Sequence, residues 1–342
     1  MSVLVPLLEV ADLEVDFPSA NGPIAVLDHV SFSIHSGETF CLVGESGAGK
    51  SLTGLAIVGL HPDTAHVRGS VRLADDEILH NRRQAWRKIR GTRIGFVFQD
   101  ASTALNPVLN IKTQLKEAFR HRFHSDAEGR KEMVDLLNRL GISDAETRLG
   151  QYPHQLSGGL RQRIHIAIAI AGNPELIIAD EPTSALDVTI QAQILELLRA
   201  LVADRGKSLL MITHDLGVVA EMADRVGVMY GGRIVEMGDA ALTMSSPQHP
   251  YTADLLGSLP SLSQRSASLR AIPVASSESQ EATGGCAYRP RCSMSKGREE
   301  CRNERPRLSE VADGVWSACH FPGEVRDYRA RLVADAGREP RL

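Results

Sequence analysis

Gly44-Glu45-Ser46-Gly47-Ala48-Gly49-Lys50-Ser51 follows directly on the apolar run Phe40-Cys41-Leu42-Val43, and Leu52 to Leu60 then reads as a helix. Strand, glycine loop and helix in that order predict a phosphate-binding turn at the end of a strand. Every position of the GxxxxGK[ST] pattern is filled. The glycines let successive backbone N–H groups turn inward around phosphate oxygens, and the following helix points its positive end at them. Lys50 is expected to reach the β- and γ-phosphates of ATP, and the Ser51 hydroxyl to bind Mg²⁺. The plain alternative is a glycine-rich strand–helix turn; the context and the partners downstream argue against it.

Leu8-Glu9-Val10 and Leu13-Glu14-Val15-Asp16-Phe17 alternate, as does Val30-Ser31-Phe32-Ser33-Ile34, with the turn residues Asn21-Gly22-Pro23 between them. Period-two alternation predicts half-buried strands, here an antiparallel β edge subdomain. Gly69 to Leu73 and Ile94 to Phe98 are further short strands, and residues 111–171 read mostly as helix. Leu176-Ile177-Ile178-Ala179 and Ser208 to Thr213 are buried strands around a helix from Thr189 to Ala203. Strands alternating with helices imply a mainly parallel sheet with right-handed crossovers. The fold class is therefore α/β, a P-loop NTPase core with an inserted helical subdomain at about 100–172.

Two acids, Asp180 and Glu181, end a buried strand. One suits Mg²⁺ held through water, and the other is left to orient or deprotonate the attacking water. Solvated acids at a strand end are the bland reading, and the phosphate loop tips the balance. His214 ends the next strand, placed to contact a γ-phosphate, although a lone histidine is more often structural. Gln99 ends the Phe96-Val97-Phe98 strand and is a candidate Mg²⁺ ligand and γ-phosphate sensor; without the other motifs it would be a surface glutamine.

The 342 residues allow one large domain plus an appendage, and 43% hydrophobic residues suffice for a sizeable core. A net charge of −4 argues against nucleic acid as the main partner. No stretch approaches the ~20 apolar residues that span a bilayer. The N-terminal MSVLVPLLEVADLEVDF lacks a basic region and is broken by Pro6, Glu9, Asp12 and Glu14, so it is not read as a signal peptide. A cytoplasmic chain is expected, where disulfides are rare.

At Leu156-Ser157-Gly158-Gly159-Leu160-Arg161-Gln162-Arg163 the sequence resembles the signature motif of ATP-binding cassette (ABC) ATPases. Ser157 is also a plain helix N-cap, and both readings can hold together. The other elements stand in the family's order. They are an A-loop aromatic (Phe17), the Walker A loop from Gly44 to Leu52, a Q-loop at Gln99, Walker B at 176–181, a D-loop at Ser184-Ala185-Leu186-Asp187 and an H-loop at His214. Leu160 departs from the commoner glutamine, at a position that varies. The resemblance implies head-to-tail pairing with a second ATPase subunit, identical or paralogous. Ser157, Gly158, Gly159 and Gln162 of one subunit would then close over the ATP on the Walker A loop of the other. It also implies a groove beside Gln99 that receives two transmembrane permease subunits.

Three segments resemble the oligopeptide/dipeptide (peptide/nickel) importer branch: Ala104-Leu105-Asn106-Pro107-Val108-Leu109, His249-Pro250-Tyr251-Thr252-Ala253-Asp254-Leu255-Leu256, and Gly285-Cys286-Ala287-Tyr288-Arg289-Pro290-Arg291-Cys292 with the later Cys301 and Cys319. The segment Ile272-Pro273-Val274-Ala275 departs from the more Gly/Pro-rich linker of that branch. The division expected is a nucleotide-binding domain over 6–260, a linker over 261–285 and a Cys-rich region over 286–342. What the branch implies is ATP-driven uptake of di- or oligopeptides at the cytoplasmic face of the inner membrane, with an extracytoplasmic substrate-binding protein as indirect partner. The alternatives are a nickel or other small-solute importer, a non-transport ABC ATPase, and a metal-sensing regulator.

The tail spacing, C-x5-C-x8-C-x17-C, is not the paired C-x2-C of a zinc ribbon. The resemblance implies a [4Fe–4S] cluster on Cys286, Cys292, Cys301 and Cys319, for which four cysteines suffice. Zinc, placed behind it, and four free thiols are the alternatives. Cys41 reads as a small buried strand residue.

Overall fold

The computed structural model describes residues 5–119, 125–184, 186–258 and 284–336. The expected linker thus lies almost wholly outside the described residues, Ile272 to Ala275 included, as does Ala185 of the D-loop.

The glycine loop emerges from β3 (Thr39–Val43), a central strand of the main sheet. Parallel to it run β9 (Arg225–Tyr230), β8 (Ser208–Thr213), β7 (Leu176–Asp180) and β6 (Ile94–Val97). An antiparallel flank of β10 (Arg233–Asp239), β12 (Val315–Ser317) and β11 (Ser309–Ala312) completes the order β11-β12-β10-β9-β3-β8-β7-β6. Every residue of β3, β7 and β8 is buried, and the runs 40–43, 176–179 and 209–212 are wholly apolar. Such continuous runs are what a sheet covered on both faces requires. Alternation still sorts the side chains. Cys41 and Val43 join the core beneath the helices, whereas Phe40 and Leu42 join the core beneath the antiparallel sheet. Full burial of each large apolar side chain contributes about 1.5–3 kcal/mol.

The antiparallel edge sheet is built from β1 (Leu8–Phe17), β2 (Ile24–Ile34), β4 (His66–Leu73) and β5 (Asp76–Glu77), in the order β2-β1-β4-β5. The two N-terminal runs expected separately form one strand. It is interrupted where Asp12 adopts φ +47° and the register shifts between Ala11 and Glu14. Gly69 of β4 passes so close that a Cβ there would lie 2.5 Å from the Asp12 carbonyl oxygen.

The helical block contains Ile111–Phe119, Asp126–Arg139 and Gly158–Ile170. Ser125 and Ser157 cap the last two by accepting from the Glu128 and Leu160 backbone N–H groups.

The tail is more structured than its sequence pattern suggests. β12 pairs with β10, and β11 pairs with β12, so the tail extends the central sheet. The charged end forms the helix Val325–Ala336, which packs on the helix Pro250–Gly257. Tyr288 and Tyr328 both donate to Asp254 of that helix, at 2.5 and 2.6 Å. Among the described residues no helix is long and apolar enough to cross a membrane.

Candidate functional site

Parallel strands bring their carboxyl ends to one edge, and the loops that follow share one crevice. In the order β3-β8-β7-β6 those ends carry the glycine loop, His214, Asp180-Glu181 and Gln99. Register aligns them: Val43 faces Thr213, Asp180 faces Ile212, and Val97 faces Ala179.

Gly49 is the N-cap of the helix Lys50–Ile57 and has φ +100°. That backbone conformation disfavours any side chain, and a Cβ there would also lie 2.6 Å from Leu27 Cδ2 and 2.9 Å from Met229 Cε, so those two side-chain ends would have to shift. At Gly44 a side chain is excluded by space alone, since its Cβ would lie 2.2 Å from the Met229 carbonyl oxygen. Lys50 is buried, and its Nζ donates to the Gly44 and Glu45 carbonyls at 2.8 and 2.9 Å. Burial pushes its pKa down, opposed by the charges of Glu181, Asp180 and Glu45.

Ser51 Oγ donates to Asp180 Oδ1 at 3.0 Å, joining two hard oxygen donors of the kind Mg²⁺ takes. Burial pushes the Asp180 carboxyl up to about 6, with the Ser51 hydrogen bond pulling the other way and the Glu181 charge adding. An approaching cation reverses that penalty.

Glu181 is the hub. Its Oε1 lies 2.9 Å from His214 Nδ1, and its Oε2 accepts from Gln99 Nε2 at 3.1 Å. Its backbone takes φ +44°, outside the usual range for a residue with a side chain, and its N–H donates to the Ile212 carbonyl on β8. Strained backbone of this kind concentrates at functional sites. Glu181 thus joins two residues that stand 82 and 33 positions away in the chain.

The signature residues stand on another element. Ser157 and Gly158 are exposed at the start of the helix Gly158–Ile170, while Gln162 is buried. Asp187 caps the helix Val188–Arg205, its Oδ1 accepting from Ile190 N at 3.0 Å. Phe17 ends β1, half-buried, and packs with Leu52 against the core beneath the antiparallel sheet.

Sequence reasoning missed how the tail reaches the loop. Tyr251 Oη accepts from the Glu45 backbone N–H at 2.9 Å, and Arg291 makes a two-pronged ion pair with the Glu45 carboxylate, both contacts at 2.7 Å. Both residues stand in the branch-specific segments, so the available signal was their presence there.

Cys286, Cys292, Cys301 and Cys319 line one small cavity with Tyr288, His249 and Phe321. Burial is the largest influence on all four thiols and raises every one. It pushes Cys292 to about 12 and Cys319 to about 11, with the Cys286 charge adding at both. Among the described residues no group of three or more His, Cys, Asp or Glu side chains is arranged to hold a metal ion. The cluster expected on these cysteines therefore rests on donor number and softness alone. Cys41 is fully buried in β3, as expected. A cavity of about 910 Å³ lies apart from the phosphate loop, between the antiparallel sheet and the tail near Phe32, Tyr230 and Trp316. The loop itself is open, with Ser46 and Gly47 exposed.

Comparison with known proteins bears on this arrangement. The ABC transporter family model matches residues 27–184, and the model of the oligopeptide/dipeptide transporter C-terminal region matches residues 235–301. The dipeptide transport ATP-binding protein DppD of Escherichia coli (strain K12) is 42% identical over 92% of this chain and 97% of its own length. The chain belongs to the ABC transporter ATPases, in their oligopeptide/dipeptide branch. The oligopeptide transport ATP-binding protein OppD of Mycobacterium tuberculosis (strain ATCC 25618 / H37Rv) is 45% identical over 92% of this chain and 52% of its own length. Among solved structures, a dimeric ATP-binding cassette in a post-hydrolysis state bound to ADP and Pi superposes with a TM-score of 0.62. It is 29% identical and covers 68% of this chain and 98% of its own. The ABC ATPase assignment and the P-loop α/β fold read from the sequence both hold.

Proposed function

We propose that this ATPase energises uptake of di- or oligopeptides by ATP-driven pairing with a second nucleotide-binding subunit. The observation that carries the catalytic part is the contact of Glu181 with both His214 and Gln99, beside the Ser51–Asp180 pair. In this reading Phe17 borders the adenine, and the backbone of residues 44–52 with Lys50 holds the phosphates. Ser51, Gln99 and Asp180 would hold Mg²⁺, which when bound offsets phosphate charge. Glu181 orients and deprotonates the attacking water, and His214 contacts the γ-phosphate and orients Glu181. The second subunit's signature motif, equivalent to Ser157, Gly158, Gly159 and Gln162 here, completes the site with Asp187 beside it. The exposed setting of Ser157 and Gly158 and the openness of the loop support this two-sided arrangement, as does the dimeric state of the structural relative.

A groove of about 340 Å³ is lined by Leu60, Phe96, Gln114, Glu117 and Phe98, the residue that precedes Gln99 in the chain. Phe98 is exposed there and stacks on His165. We assign this groove to short helices of the two permease subunits, which makes the chain peripheral at the cytoplasmic face of the inner membrane. Peptides rank ahead of nickel because the relatives named above are dipeptide and oligopeptide transport proteins. Cys286, Cys292, Cys301 and Cys319 would hold a [4Fe–4S] cluster, which when bound cross-links the tail and can carry an electron.

The test is ATP-dependent uptake in vesicles carrying the complex co-purified with this chain. Labelled dipeptides should accumulate and nickel should not. Accumulation of nickel alone would move the assignment to the metal-importing alternative, and absence of any membrane subunit in the complex would remove the transport reading.

A further inference from the structure

We infer that Arg291, from the cysteine segment, is a positioning residue for the phosphate loop, acting through Glu45. The inference rests on the assignment of Gly44–Ser51 to ATP. Glu45 stands second in the loop and is held at two points by residues more than two hundred positions away. Tyr251 takes its backbone N–H, and Arg291 takes both oxygens of its carboxylate at 2.7 Å. A planar, two-pronged pair fixes direction as well as distance. Arg291 is itself fixed. It is only 10% exposed, and its guanidinium lies 5.6 Å from the ring centre of Tyr230 and 5.9 Å from that of Tyr288.

Two consequences follow for ATP. First, the Glu45 carbonyl is one of the two acceptors of Lys50 Nζ, so the Arg291–Glu45 pair helps set where the lysine stands before phosphate arrives. Second, Glu45 carries a negative charge within the loop that must receive a triphosphate. Arg291 is the cation paired with it, so the loop presents that charge neutralised. Removing Arg291 leaves the carboxylate unpaired beside the phosphates, where the like charge repels them.

The experiment is a double-mutant cycle on the full chain, read as the dissociation constant for ATP, with kcat and KM measured alongside. Arg291→Ala should weaken ATP binding about fivefold to tenfold and raise KM more than it lowers kcat, a size typical of coupled neighbours. Glu45→Gln should remove most of the effect: in that background Arg291→Ala should change binding by less than about twofold. Arg291→Lys should recover part of the affinity, because it restores charge without the fork. An effect of Arg291→Ala that persists undiminished in the Glu45→Gln background would make Arg291 a packing residue and overturn the inference. Unchanged ATP binding in Arg291→Ala would overturn it equally. Lys50→Ala tests the underlying assignment separately: it should abolish ATP binding, and if it does not, the loop assignment fails rather than the role of Arg291. Should Arg291→Ala fail to fold, Arg291→Lys takes its place in the same cycle. It should then weaken binding in the parent chain and leave it unchanged once Glu45→Gln is present.

Discussion

Glu181 Oε1 lies 2.9 Å from Nδ1 of His214, although the two residues follow different strands and Glu181 holds its backbone at φ +44°. The contact ties one oxygen of the acid to the histidine, and the Gln99 hydrogen bond fixes its other oxygen.

Glu181→Gln keeps shape and hydrogen-bond reach while removing the base. Steady-state hydrolysis should fall by about 10²-fold or more, with ATP affinity retained. The ATP-loaded variant should elute as a closed dimer in gel filtration. Unchanged turnover in this variant would sink the catalytic role.

Asp180 gives a pH dependence with a definite sign. Its carboxyl is raised from 3.8 to about 6, so near pH 5 the folded chain holds a proton that the unfolded chain has released. The proton therefore stabilises the fold as pH falls from about 6 toward 4, and the charged form penalises it above about 6. Asp180→Asn should raise the Tm of the nucleotide-free chain at pH 8 and lose that advantage at pH 5. The comparison between variant and parent isolates Asp180 from His165 and His249, lowered by burial to about 4 and about 3. Those two favour the fold above pH 6.5 and withdraw support as they are forced to charge below it. Mg²⁺ affinity, measured by titration with ATP present, should decline below about pH 6 in the parent chain because proton and cation compete.

Asp254 receives the hydroxyls of Tyr288 and Tyr328 and so fastens two parts of the tail to the helix Pro250–Gly257. Asp254→Ala leaves two hydroxyls without that acceptor and should cost roughly 2–3 kcal/mol. Hydrogen exchange should rise in the helix Val325–Ala336, while the buried strand Leu176–Asp180 keeps its protection. Uniform loss of protection across both would show that the tail does not open on its own.

The four tail thiols are held neutral by burial, so any cluster or cation that binds them must displace protons. Chain purified without oxygen should contain iron and acid-labile sulfide, and Cys292→Ala should lose both. Reloading should release protons and weaken as pH is lowered. Iron content at trace level in the intact chain, with zinc in its place, would contradict the cluster assignment.

The edge that carries the candidate site was legible because each of its stretches follows an apolar strand. Gly44, Asp180, His214 and Gln99 are all announced by four or more apolar or small residues immediately before them. Ser157 was legible twice over, as a cap and as part of a motif. The tail was not. β11 and β12 are short strands with weak alternation, Ser309-Glu310-Val311-Ala312 at the sheet edge and Val315-Trp316-Ser317 beside it, and the pairing of β12 with β10 has no local signature. The single N-terminal strand was read as two because the irregularity at Asp12 breaks the alternation.

Sequence alone determined that this chain binds a triphosphate, because the loop's chemistry depends on residue types at fixed local spacing and every position is present. Tertiary structure decided what surrounds the loop. Parallel strand order gathered Gln99, Glu181 and His214 at one edge, and folding of the tail against the sheet carried Arg291 to Glu45 across 246 residues. The physical reason is that side-chain identity is written locally, whereas the energy that pairs distant charges and strands exists only once the intervening chain has been packed.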